Sequence, residues 1–276
     1  MRVYRRRRAG PERGEELVDP IGQLHAGDGD ALVRLIADAY HDEPGPDLPW
    51  ALLDGLADLL GRDTLVTYTS YAPGQLRWDH EQVVLDAGEH WSTTETEYDE
   101  PDGWFSEWWT HPLCSYPQRT GDLTSIVTTT DFVATADEDD ARRRWFGDIR
   151  THMILSLPAA PGVVRRVLLA RREWPGFDER DRQVVALLRP HVQEIWLDAE
   201  RRRAGVPELT SREWEVLALV GSGLSHAEIA ARLVVAVSTV RKHLEHVRER
   251  MGVHSAAAAA SIALPHAPTV LRPRAR

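Results

Sequence analysis

Two helix-start signals, about fifteen residues apart and each followed by an apolar face of helical period, restrict the C-terminal part of this chain to short helices that must cross. Thr210 with Glu213 and Ser225 with Glu228 are S/T-x-x-E boxes. In such a box the hydroxyl accepts from an amide that a new helix leaves unpaired, and the carboxylate accepts from the cap residue's own N–H. Gly221-Ser222-Gly223 supplies a turn between the two helices, and Ile229, Ala230 and Leu233 share one face of the second. A third helix is predicted from Val237 to Met251, with Gly252 where left-handed backbone ends a helix. On that helix Val240, Leu244, Val247 and Met251 fall within a narrow arc, and Ser238, Arg241, Lys242, Glu245 and Glu249 occupy the opposite one.

Charge gives that outer arc its meaning. The 276 residues carry a net charge of −10, but its distribution is uneven. From Arg201 onward there are 12 lysines and arginines against 6 acids, and before it 21 against 37. A basic end attracts polyanions by counterion release, while an acidic body is repelled by them. Alone, a mixed-charge helix face is a solvated surface. Joined to helix, tight turn, helix and local positive charge, it is the arrangement that enters a nucleic-acid groove.

The segment from Leu209 to Val253 resembles the LuxR-type helix-turn-helix family. The matching residues are Leu209-Thr210-Ser211-Arg212-Glu213, Glu215-Val216-Leu217, Gly223, Glu228-Ile229-Ala230, Leu233, Thr239-Val240-Arg241-Lys242-His243-Leu244 and Gly252-Val253. The resemblance covers about sixty residues and implies a four-helix domain, its last helix at Ser255 to Leu264, that binds double-stranded DNA as a homodimer. It assigns DNA contact to Ser225, His226, Ser238, Thr239, Arg241, Lys242 and Glu245, with Arg248 near phosphate. Three positions depart from the family pattern: His226 replaces an asparagine, Ala236 stands where a Ser or Thr caps the recognition helix, and Ala256 replaces a polar residue. The missing cap leaves a rival reading open, a protein-interaction scaffold with a degenerate helix-turn-helix and no specific operator.

The front half reads as mixed helix and strand. Helical period recurs at Leu32, Leu35, Ile36, Ala39 and, after Pro44-Gly45-Pro46, at Leu52, Leu53, Leu56, Leu59, Leu60. Strands are predicted at Thr64 to Tyr68, around Gln82 to Leu85, at Ser125 to Thr128, Met153 to Leu157 and Val163 to Leu169, the last two adjacent and antiparallel. Helices are expected at Asp137 to Gly147 and from Asp178 to about Arg203. The latter carries Val184, Leu187, Leu188, His191, Val192, Ile195 and Ala199 as one stripe, with Pro190 as a candidate kink. Such a stripe serves either packing on the sheet or a dimer seam. Arg171-Arg172, Phe177 to Arg182, Leu187 to His191 and His111-Pro112-Leu113-Cys114 resemble the GAF-like domains that precede LuxR-type modules in actinobacterial regulators. That likeness implies a sheet flanked by helices and a cavity for a small-molecule effector. Trp104, Trp108 and Trp109, beside His111 and Cys114, are the candidate pocket wall, or else ordinary core aromatics.

The expected fold class is therefore α/β, GAF-like, with a mainly antiparallel sheet and flanking helices, plus a C-terminal all-α four-helix helix-turn-helix domain. The expected division is a disordered lead over 1–22, a sensor and dimerisation domain over 23–200, a linker over 201–207, the DNA-binding domain over 208–265 and a disordered basic tail over 266–276. No catalytic residue, metal site or cofactor is expected. A Cys-His nucleophile at His111 and Cys114 has no orienting partner, and His80, Glu81 and His90 fit no compact ligand spacing and read as solvent-exposed. The single lysine, Lys242, excludes a P-loop. One cysteine excludes an intrachain disulfide. The arginine-rich start is followed by no apolar stretch and no run of membrane-spanning length occurs, so a cytoplasmic, nucleoid-associated protein with no membrane partner is expected.

Overall fold

Six antiparallel strands organise the front of the chain, in the order β3-β2-β1-β6-β5-β4. The computed structural model describes residues 24–61, 63–75, 77–85, 88–94, 111–132, 147–173 and 175–267. The elements in chain order are α1 (Asp28–His41), α2 (Trp50–Leu60), β1 (Leu65–Ala72), β2 (Arg77–Val84), β3 (His90–Thr94), α3 (Pro112–Thr120), β4 (Val127–Thr128), β5 (Thr151–Leu157), β6 (Val164–Arg171) and α4 (Glu179–Arg203). After them come α5 (Ser211–Gly221), α6 (His226–Leu233), α7 (Val237–Met251) and α8 (Ala256–Ala263). The chain divides into two units, Met1–Gln193 and Glu194–Arg276, and the division falls inside α4.

The expected neighbours β5 and β6 do pair antiparallel, from Thr151 opposite Arg171 to Leu157 opposite Arg165. β1 lies on the other side of β6 and carries β2 and then β3 outward. Helices flank the sheet as the fold class requires: α2 packs on β1 and β2, and α1 packs on α2. Gln82, fully buried in β2, accepts from Leu48 N–H at 2.7 Å and donates to Leu48 carbonyl at 2.9 Å, which pins the loop before α2 as a strand neighbour would. That loop turns at Gly45, where φ is +65° and an added Cβ would stand 2.2 Å from the Leu48 carbonyl oxygen. No other residue fits there.

Several expectations need correction. β3 was not foreseen, and the strand at Ser125 to Thr128 shrinks to two residues. α3 was not foreseen either; Pro112 occupies its first turn, where a missing N–H costs nothing. On α4 the buried arc runs from Val184 through Leu188 and Ala199 to Val185, and Leu187 and His191 lie past its edge and are exposed. His80 and Glu81, expected to be solvent-exposed, are half-buried neighbours on β2 and so point to opposite faces, while His90 is exposed as expected and meets Asp54 at 2.9 Å and the Trp50 ring. No His, Cys, Asp and Glu group suited to a metal occurs among the described residues. His266 closes a short 3₁₀ turn and Ala267 is buried, so the expected tail begins later than 266. The expected lead over 1–22, all but Gly147 of the helix at Asp137 to Gly147, and the rest of the tail lie outside the described residues.

Candidate nucleic-acid interface

The second unit is built around the two boxes read from the sequence. Thr210 N–H donates to Glu213 Oε2 at 2.8 Å while Glu213 N–H donates back to Thr210 Oγ1 at 3.3 Å. Ser225 and Glu228 repeat the exchange at 2.8 and 3.4 Å. Burial opposes ionisation of Glu213, yet the Thr210 amide and hydroxyl, with Arg250 and His243 nearby, hold its pKa below the ordinary value. Val206, Leu209, Trp214, Val216 and Leu217 pack with Ile229 and Ala230 of α6, with Val240, Leu244 and Val247 of α7 and with the alanines of α8. Arg212 ties the start of α5 to the end of α6 by donating to Glu215 at 2.7 Å and to the Leu233 carbonyl at 2.8 Å.

The turn that aims α7 is strained. Val234 ends α6 at φ 55°, ψ 49°, which lets Val235 N–H reach back to the Ala230 carbonyl at 3.0 Å. A β-branched residue in left-handed backbone is an outlier, and Val234 is 89% exposed, so packing offers little in return. Val234→Asn should therefore stabilise the C-terminal unit by about 1 kcal/mol in urea unfolding, since asparagine tolerates this conformation. An unchanged or lower midpoint would show that the turn stores no such strain.

α7 has one buried and one exposed face. Val240, Leu244 and Val247 are buried beneath it, and Ser238, Arg241, Lys242, Glu245 and Glu249 are exposed above, as the periodicity predicts. Ala236 caps the helix without any side-chain hydrogen bond, and Gly252 ends it in left-handed backbone at φ 65°. Arg241 and Lys242 hold no hydrogen bond or ion pair with any described residue. Three arginines of the front unit contrast with them: Arg171, Arg180 and Arg182 are bound to Asp181, Asp28 and Asp131 at 2.6 to 2.9 Å. Arg248, at the far end of α7, is half-buried and donates to the carbonyls of Leu244 and His254 at 3.3 Å each. Thr239 is half-buried, His226 is exposed at the first residue of α6, and the Ser225 hydroxyl is committed to Glu228 at 2.6 Å.

The candidate ligand wall of the front unit is only partly in view. Trp104, Trp108 and Trp109 lie outside the described residues. His111 precedes α3 as its half-buried N-cap residue, and Cys114 is buried against Tyr71, Val164 and Trp78. Burial pushes the Cys114 thiol up, but the neighbouring His111 and Arg166 outweigh it and lower its pKa. Arg166, missed in the sequence, donates to the Cys114 carbonyl at 3.3 Å. No local pattern could have found it, because 52 residues separate the pair.

Two capped helices, a tight turn and a third helix whose exposed face carries the unengaged Arg241 and Lys242 define a helix-turn-helix domain of the DNA-binding class. Residues 207–263 match the family model described as bacterial regulatory proteins, luxR family, and this segment is a LuxR-type helix-turn-helix domain. The chain is 39% identical over 69 residues to the HTH-type transcriptional regulator MalT of Yersinia enterocolitica, a match covering 23% of this chain and 8% of that protein. MalT of Yersinia pestis matches with the same identity and shares. The chain thus spans under a tenth of the curated relatives it matches. Among solved structures, Escherichia coli SdiA overlays with a TM-score of 0.35 at 16% identity, covering 86% of this chain and 95% of that one. The VqsR LBD domain from Pseudomonas aeruginosa overlays with a TM-score of 0.39 at 13% identity, covering 64% and 97%. Both overlays are too loose to assign the front unit to a fold family.

Proposed function

We propose that this protein is a sequence-specific DNA-binding regulator of transcription, and that its front unit, of GAF-like kind, senses a small molecule or a partner. The observation that carries the reading is the outer face of α7, where Arg241 and Lys242 stand exposed and unengaged among the described residues of a LuxR-type domain. Long cationic side chains kept free of local carboxylates suit phosphate and guanine edges in a major groove, where bidentate contacts carry specificity. Ser238, Thr239 and Glu245 complete the face toward base edges, and Ser225 and His226 at the start of α6 lie where that helix would cross the backbone. The active form in this reading is a homodimer on half-sites about one helical turn apart.

A mobility-shift screen of the full-length protein against genomic fragments, at two salt concentrations, tests the reading. A few fragments should be retained with strong salt dependence over a nonspecific background. Equal, salt-insensitive behaviour toward every duplex would instead favour the scaffold reading, to which the uncapped Ala236 lends itself.

A further inference from the structure

The residue that opens α7 is apolar and faces solvent. Val237 is 37% exposed and follows the uncapped Ala236. Among the described residues of the C-terminal unit, the large apolar side chains left to solvent are Val234, Val237 and Ile262, and two of these three flank the turn into α7. A single exposed valine is ordinary; its place on this helix is not. The first turn of a helix favours acids, and α5 and α6 carry Glu213 and Glu228 there, whereas α7 has none. Valine is a weak helix former and offers nothing to unpaired amides, so the helix itself gains little from it at this end. Val237 stands one turn before Arg241 on the same side of α7.

We propose that Val237 reads the C5 methyl group of a thymine in the major groove. The proposal rests on the regulator reading and deepens it, from duplex DNA in general to a half-site with thymine at a set place. Base edges in that groove are polar except for the thymine methyl, so an apolar side chain entering it has one group to meet. A recognition helix contacts bases with its N-terminal residues, and Val237 is the first of α7. Charge brings this end to the duplex: Arg241 and Lys242 are exposed on the turn that follows, and no carboxylate of the first turn opposes them. Branching at Cβ holds the valine near one rotamer, so docking costs it little entropy. Four residues rise about 6 Å along a helix and successive base pairs about 3.4 Å, which sets the thymine within about two base pairs of the pair that Arg241 meets.

The test uses full-length protein and a duplex selected from randomised oligonucleotides. Copies of that duplex, each with one thymine replaced by uracil, lose a single methyl group and nothing else. At one thymine of each half-site the replacement should weaken wild type about fourfold, the equivalent of roughly 0.8 kcal/mol for one buried carbon. Val237→Ala should bind the thymine and uracil duplexes alike, while Val33→Ala, the same truncation at an exposed valine of α1, should keep the fourfold difference. Alanine is the better helix former, so the loss in Val237→Ala does not stem from an unfolded α7, and far-UV circular dichroism checks this. A wild type indifferent to every methyl, or a Val237→Ala variant with undiminished discrimination at that thymine, overturns the proposal. The regulator reading fails separately. A protein that selects no duplex sinks both, whereas one that selects a duplex and ignores its methyl groups sinks the thymine contact alone.

Discussion

Arg241→Ala and Lys242→Ala are each expected to weaken binding to a specific duplex by about tenfold, and together by about a hundredfold, at fixed salt. Each side chain is exposed on the outer arc of α7, away from Val240 and Leu244, so truncation should leave the unit folded. Their salt behaviour should separate two roles. A lost phosphate contact flattens the slope of log affinity against log salt by about 1 and acts alike on all sequences, whereas a lost guanine contact relaxes specificity at one position. Arg34→Ala, removing an exposed arginine of α1, should change neither. Fluorescence anisotropy with a selected operator, repeated over a range of salt, measures all of these. A double variant that binds as tightly as wild type would remove α7 from the interface.

Arg171→Ala should destabilise the front unit by about 3 to 5 kcal/mol, a large share of the roughly 5 to 15 kcal/mol that holds a domain folded. The side chain is 11% exposed and gathers four segments of the chain. It donates to Asp181 and to the Gly176 carbonyl at 2.7 Å each, to Thr64 Oγ1 at 3.0 Å and to the Leu60 carbonyl, and it lies 4.4 Å from the centre of the Phe177 ring. Truncation leaves the buried Asp181 carboxylate with only Arg180 at 3.4 Å and the Asp178 N–H at 3.3 Å, and takes a donor from two carbonyls. Arg171→Lys should recover only part of the loss, since one ammonium cannot reach four acceptors arranged around a planar fork. Pairing Arg171→Met with Asp181→Leu should come closer to wild type than either single change, because it removes both charges. Urea unfolding followed by circular dichroism reads each value. A loss under about 1 kcal/mol for Arg171→Ala would mean that the network contributes little.

What could be read from the chain follows the range of the interactions involved. Thr210 with Glu213 and Ser225 with Glu228 close within three residues, so their boxes, and the helices they start, were visible as text. The faces of α7 follow from period alone, and Gly252 marks its end by the one residue suited to that backbone. Pro112 is ambiguous as text, because proline breaks a helix from inside and opens one from its first turn. β3 has no run of alternating apolar residues, and it exists because β2 offers it an edge. Arg171 reaches Thr64 and Leu60 across 107 and 111 residues, so its network has no local signature. The wall suggested by Trp104, Trp108 and Trp109 concerns residues outside those described, and only its His111 and Cys114 end is in view.

Lys242 is the chain's one lysine, and it stands bare on α7. An acylating reagent applied to the native molecule therefore meets a single side-chain amine. A dye or an acetyl group attached there lands on the surface assigned to the duplex. Acetylation would delete one positive charge from that surface while sparing every arginine, and a reporter at the same atom would brighten or dim as the groove closes over it.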